Sequence, residues 1–296
     1  MASLRDLRSR MRAVRQTLQV TKAMNLISTS KLRRGRRMLE NTEPYFTRIQ
    51  KVMFDIISCV EKFDSKYFRK ANDKNSRTAV VVITSDKGLA GAYNSNIFRY
   101  VNNLCEKVKN PELILVGTIG HRYYAHTNHE VRKRFSFHSR LPTMEEAEEV
   151  AQYVISRYLT GTFDEAHVVY THMYSAVKTL PTEKQLLPIN AEKIQAELSS
   201  AGNEKRVKLN FEFIPSGSEV FDSLIPRYVN GIIYGSMVEA YASEHNARMT
   251  AMSEASKSAE EMLADLQIVY NRIRQAGITQ EMAEIIGGSA ALAGRE

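Results

Sequence analysis

The chain of 296 residues predicts an α/β protein: a long antiparallel coiled coil of the N- and C-terminal helices, with a small Rossmann-like α/β domain inserted between them. Three observations predict it. Both ends are long stretches compatible with helix and nearly free of Gly and Pro. The middle alternates short β-branched runs with helical stretches, the βαβ rhythm of an open sheet. The two ends carry opposite net charge, so they can pair with each other.

The first half of the coil is assigned to residues 1–60. From Ala2 to about Val60 there is one proline, Pro44, and one glycine, Gly35. Leu4, Leu7, Met11, Val14 and Leu18 step by three and four, as a coiled-coil seam requires. The next seam positions hold Thr21, Asn25 and Ser28, while Val20, Met24 and Ile27 carry the apolar stripe onto a neighbouring face. That pattern predicts a locally irregular coil rather than a regular zipper. A helix of about 55 residues would measure roughly 80 Å, more than a small globular domain needs.

Residues 77–215 read as the inserted domain. AVVVIT, LILVGTI and AHVVYTHM are its strands, separated by the helical SNIFRYVNNLCEKV and TMEEAEEVAQYVISRYL. TLPTEKQLLPIN and ELSSAGNEKRVK read as loops, and VKLNFEFIP as a last strand. Glu145, Glu146, Glu148 and Glu149 open a helix, where carboxylates suit the dipole.

The second half of the coil is assigned to residues 216–288. Met252, Ser256, Ala259, Leu263, Leu266, Tyr270 and Ile273 alternate four and three, and the small seam residues keep the rod thin. Gly287-Gly288 reads as the stop. Residues 1–40 carry eleven Lys/Arg against two acids, whereas Glu219 to Glu284 holds ten acids and five bases. The arginines of the first helix therefore have an acidic partner within the same chain.

Catalytic chemistry is not written here. ITSDKGLAGAYN places two glycines between a strand and a helix, where an anion site can form. However, it matches neither G-x-x-x-x-G-K-[ST] nor G-x-G-x-x-G, so a tight strand-to-helix connection is the better reading and a phosphate-handling enzyme the weaker one. HExxH and GxSxG are absent. His121, His126 and His129 are not spaced to share one helical face, so no metal site is expected, and no cofactor. Cys59 and Cys105 have no paired or metal-binding spacing and read as reduced thiols. No run is long and apolar enough to insert into a bilayer. Arg33, Arg34, Arg36 and Arg37 leave open a basic coiled-coil protein that binds nucleic acid, but interleaved aromatics and any nucleic-acid motif are missing.

LRDLRSRMRAVRQTLQVTKAMNLISTSKLRR, SDKGLAGAYN, ASEHNARMTAMSEASKSAEEM and YNRIRQAGITQEMAEIIGGSAAL, in that order, resemble the γ subunit of F-type ATP synthases. The resemblance implies a non-catalytic rotor of the central stalk. Its coiled coil would turn inside the ring of α and β subunits, with its globular domain on the ε subunit and the c-subunit ring. Rotation would couple ion flow to ATP synthesis or hydrolysis at β. It implies no nucleic-acid partner, and a bacterial-type length implies a peripheral position on the cytoplasmic side of the plasma membrane. Met24 matches the family position facing a loop of β. Arg274 and Gln275 match residues that hydrogen-bond a catch loop of β, and Thr279 and Glu281 lie in the same contacting segment. Gly277 stands where Ala or Ser is common in that family, and the cysteine-bearing insertion of chloroplast relatives is missing.

Overall fold

The computed structural model describes residues 4–59, 65–68, 76–137, 141–175, 178–189, 214 and 216–293. Its elements run α1 (Leu4–Cys59), a 3-10 turn (Lys66–Phe68), β1 (Thr78–Ile83), α2 (Tyr93–Cys105), β2 (Pro111–Val116), α3 (Thr118–Tyr124), β3 (Glu130–Phe135), α4 (Met144–Leu159), β4 (Glu165–Met173), β5 (Thr179–Leu187) and α5 (Gly217–Ala293). The chain divides into two compact units: residues 1–28 with 249–296, and residues 29–248.

In the first unit, the start of α1 and the end of α5 run antiparallel. Leu7 and Met11 bury against Leu266, flanked by Val14, Leu263, Tyr270 and Ile273. Arg8 donates to the Tyr270 hydroxyl, Ser256 Oγ meets Thr21 Oγ1 at 2.8 Å, and Asn25 Nδ2 donates to the Met249 carbonyl at 3.0 Å. Lys22 pairs with Glu260 at 2.7 Å. The pairing lowers one number as it raises the other, so opposite charge and a shared seam do bring the ends together.

The expected irregularity is not there. Burial on α1 follows Leu4, Leu7, Met11, Val14, Leu18, Thr21, Asn25 and Ser28, and keeps the three-four step through Leu32, Gly35, Leu39, Thr42, Phe46, Ile49, Met53 and Ile56. The polar residues occupy the seam, and Val20 (57 % exposed) and Ile27 (56 %) lie off it. Local hydrogen bonds explain why polarity is tolerated: Thr21 Oγ1 donates to the Leu18 carbonyl at 3.0 Å. The expected stop at Gly287-Gly288 is also wrong. α5 continues to Ala293, because glycine lowers helix propensity by only about 1 kcal/mol and does not by itself end a helix.

In the second unit, the sheet order is β3-β2-β1-β4-β5, with β5 antiparallel to β4 and the other neighbours parallel. β1 from Ala79 to Ile83 and β2 from Leu113 to Val116 are apolar because both faces are covered. Val81, Ile83, Ile114, Val116 and Val168 face α4 and the helix stretches holding Ile49, Met53, Phe221, Ile225 and Val229. Val80, Val82, Leu113, Leu115 and Val169 face Ile97, Phe98 and Val101 of α2 and Tyr124 of α3. A capping box starts α4: Glu146 N donates to Thr143 Oγ1, and Thr143 N donates to Glu146 Oε2.

Two strands differ from expectation, and both are sheet edges. TLPTEKQLL is β5 rather than a loop. Pro181 is tolerated because an edge strand has one unpaired side. EVRKRF is β3, exposed except for half-buried Val131 and buried Phe135, and Arg132 ties it to buried Glu112 of β2 through bonds of 2.7 and 3.0 Å. Of VKLNFEFIP only Ile214 is described, in a bend, and the rest lies outside the described residues, as does ELSSAGNEKRVK.

Candidate functional site

The glycine-bearing turn after β1 shows what its chemistry is for. Leu89 (φ 61°) and Gly91 (φ 55°) take the left-handed conformation, rather than Gly88. Ser85 anchors the turn: its N–H donates to Asn94 Oδ1 at 3.2 Å, and its hydroxyl donates to the Lys87 carbonyl at 3.0 Å. Asp86 Oδ1 accepts from the backbone N–H and hydroxyl of Thr118, fixing the start of α3. The adjoining Gly117 has φ 100°, and a Cβ there would lie 2.2 Å from the Thr84 carbonyl oxygen.

An anion cradle would aim N–H groups inward. This turn does the opposite and presents carbonyl oxygens to a guanidinium. Arg248 of α5 donates from Nη2 to Lys87 O (2.9 Å) and Gly88 O (3.1 Å), and from Nε to Gly88 O (3.3 Å). Its Nη2 also meets Glu244 Oε1 at 2.7 Å. Its Nη1 lies 3.1 Å from His245 Nδ1. Arginine can only donate, so Nδ1 is the acceptor and the imidazole carries its proton on Nε2.

The surroundings set the charge states. Burial, then Arg248 and Lys31, push the His245 imidazole down to about 3, so it stays neutral. Burial outweighs the nearby Arg248 at Glu244 and raises that carboxyl above its ordinary value. Burial pushes the Cys105 thiol up to about 11. Beside the cluster lies a cavity of about 90 Å³, bordered by Lys31, Asp86, Tyr93, Val116 and Glu146 among others.

The other positions singled out from sequence lie elsewhere. Met24 is half-buried on α1. Arg274, Gln275, Thr279 and Glu281 are exposed on the last stretch of α5, where Thr279 Oγ1 donates to Gln275 O of its own helix (3.0 Å). The structure does not bring Met24 and Arg274 together. Asn25 is level with Met249 and Arg8 with Tyr270, so the two positions are many turns apart. Arg33, Arg34, Arg36 and Arg37 are exposed on α1, within the second unit. His121 Nε2 lies 3.3 Å from Leu115 O, and His129 stands edge-on to Tyr124. Among the described residues, no three His, Cys, Asp or Glu side chains are placed to hold a metal ion, and no helix is long and apolar enough to cross a membrane.

Sequence reasoning missed Glu239, Ser243, Glu244, His245 and Arg248 as working residues. The available signal was density: SEHNAR puts five polar side chains among six residues on a helix whose every face there is covered or nearly so.

Comparison with known proteins matches residues 3–292 to the family described as ATP synthase. The ATP synthase gamma chain of Ruminiclostridium cellulolyticum is 39 % identical over 292 residues, covering 98 % of this chain and 99 % of that one. That of Acetivibrio thermocellus is 36 % identical over 294 residues, covering 99 % and 100 %. Among solved structures, a chain of the mitochondrial ATP synthase of Euglena gracilis, in an assembly of OSCP, F1 and c-ring, superposes with a TM-score of 0.68. It is 20 % identical, with 99 % of this chain and 96 % of that one covered. A chain from the central stalk and c-ring of the Tetrahymena thermophila mitochondrial enzyme gives a TM-score of 0.60 at 23 % identity, covering 80 % and 99 %.

Proposed function

The chain belongs to the γ-chain family of ATP synthases, and we infer from that premise how it works as the central-stalk subunit. The observation that carries the reading is the antiparallel pairing of the two chain ends, Arg8 with Tyr270 and Asn25 with Met249, in a chain that matches its relatives from end to end. The paired helices turn inside the ring of α and β subunits, and the sheet-bearing unit rests on the c-subunit ring with the ε subunit. Ion flow through the membrane sector drives the c ring, and rotation of this chain couples it to ATP synthesis or hydrolysis. ATP chemistry belongs to β, and this chain contributes no catalytic group, cofactor or metal. The complex sits on the cytoplasmic side of a bacterial plasma membrane, with this chain peripheral to the bilayer.

Contact with β is made by Met24, Arg274, Gln275, Thr279 and Glu281. All but the half-buried Met24 are exposed, so partner contacts cost little repacking. The Arg274 guanidinium offers a planar fork to a carboxylate, and Gln275 offers both donor and acceptor. A charge-assisted bond of this kind is worth about 1.5–3 kcal/mol. The test is Arg274→Ala with Gln275→Ala in the assembled complex, measuring ATP hydrolysis, ion pumping and the helicity of the free chain. Rate and coupling change while helicity is kept. Unchanged hydrolysis and pumping would remove both residues from the mechanism.

A further inference from the structure

α5 meets the sheet in two chemically different ways. From Phe221 to Val238 its buried residues are almost all apolar: Phe221, Ile225, Val229, Ile233, Met237 and Val238 join the core. From Glu239 to Arg248 the contacts turn polar and reach three different elements. Glu239 pairs with His172 of β4 at 2.7 Å. Tyr93 of α2 donates its hydroxyl to the Ala240 carbonyl at 3.2 Å. Ser243 Oγ donates to the Thr171 carbonyl of β4 at 2.9 Å. Arg248 grips the carbonyls of Lys87 and Gly88, with Glu244 and His245 bonded to its guanidinium.

We propose that residues 239–248 are a torsional key: a polar collar that fixes the rotation of α5 about its own axis against the sheet and passes torque between them. The inference rests on the central-stalk reading. The physical reason is directionality. Apolar packing is non-directional, so a helix held only by it can roll by repacking side chains. Hydrogen bonds weaken steeply as they bend. Bonds from one helix to β4, to α2 and to the turn after β1 cannot all be kept through a roll. Burying Arg248 and Glu244 is not explained by stability, since an apolar pair of similar volume commonly holds a fold as well or better than a buried ion pair. Arg248 is the strongest tooth because its planar fork engages two backbone carbonyls, acceptors that no side-chain rotation of their own can turn away. Glu244 and His245 are positioning residues that act through it.

The test uses the assembled, membrane-bound complex. Arg248→Met with Glu244→Leu replaces the ion pair by apolar volume, Ser243→Ala removes one bond, and Glu244→Gln keeps an oxygen facing Arg248. The readouts are thermal stability, ATP hydrolysis, and ions moved per ATP hydrolysed. The key requires that the double variant assemble with unchanged or higher thermal stability while ions moved per ATP fall several-fold. Ser243→Ala lowers that ratio less, and Glu244→Gln preserves it. A ratio unchanged in both the double variant and Ser243→Ala overturns the key. So does a loss of ratio that only follows loss of stability. A reconstituted wild-type complex that does not couple hydrolysis to ion movement overturns the stalk reading, and the key with it.

Discussion

Acid should loosen the second unit through His245, and the size of the effect can be worked out. The ordinary imidazole value is 6.5, and in the fold it is pushed down to about 3. The folded state therefore binds fewer protons than the unfolded one between those limits, and stability falls as pH drops below 6.5. Each pH unit in that window costs about 1.4 kcal/mol, so about 2 kcal/mol is lost by pH 5. Glu244 works in the opposite sense. Its folded carboxyl is raised, so it holds a proton to higher pH than the unfolded one, and its contribution declines as pH rises through that raised value. The two oppose each other in mildly acid solution, so the difference between wild type and a variant without the imidazole isolates the share of His245. His245→Asn keeps an acceptor for Arg248 Nη1, removes the titration and loses the edge-on contact with Tyr241 (centroids 4.4 Å apart). It should cost about 1–2 kcal/mol at pH 7 for the truncated ring and then flatten the profile. Glu244→Gln removes the opposing contribution and should steepen it. The assay is urea denaturation of the free chain from pH 7.5 to 5. Parallel profiles for wild type and His245→Asn would refute the assignment of the neutral, buried imidazole.

Two further outcomes test the architecture. Cysteines replacing Thr21 and Ser256, whose hydroxyls are 2.8 Å apart, should form an intramolecular disulfide on mild oxidation, while the parallel-register pair Thr21 and Tyr270 should not; gel mobility under non-reducing conditions reads both, and bridging only between molecules would contradict the antiparallel pairing. Gly117→Ala combines a positive φ with a Cβ placed 2.2 Å from the Thr84 carbonyl oxygen, and should destabilise by about 2–5 kcal/mol in urea titration; a loss below about 1 kcal/mol would mean that the turn relaxes freely.

The parts of the fold legible in the sequence are those where burial alone dictates composition. The central runs of β1, β2 and β4, residues 79–83, 113–116 and 168–170, are covered on both faces and had to be apolar, so each reads directly. β3 and β5 lie at the edges, where Arg132, Lys133 and Arg134, or Pro181 and Glu183, are allowed because one side needs no partner chain. Composition is uninformative there, and TLPTEKQLL resembles a loop. The seam shows the converse. Thr21 and Ser28 are 7 % and 2 % exposed. The step of three and four identifies their side correctly, and only residue type argues against it. Spacing was the better guide because geometry fixes which side faces the partner, whereas a small hydroxyl can satisfy itself on its own helix. The turn after β1 was read by motif as a strand-to-helix connection, and it joins β1 to α2, but its partner, Arg248, sits 160 residues from Gly88 and no local pattern announces it.

Polar residues therefore do two separate jobs at buried positions on these helices. On the seam, Thr21, Asn25, Ser28 and Ser256 are small or short; Thr21 bonds its own helix, and Asn25 and Ser256 bond across the pair, so their polarity costs little and their size keeps the rod narrow. Between Glu239 and Arg248 the polar side chains are longer and charged, and they reach other elements. That difference has a functional logic in a part that turns. A shaft transmits torque only if it is stiff along its length and held against rotation where it is mounted. The regular seam supplies the first property through packing, which is strong but indifferent to angle. The second needs contacts that fail when the angle changes, and hydrogen bonds to backbone carbonyls at Lys87, Gly88 and Thr171 have that character. The costly burial of Arg248 follows from the mounting, and would be hard to explain in a protein whose helices only had to stay folded.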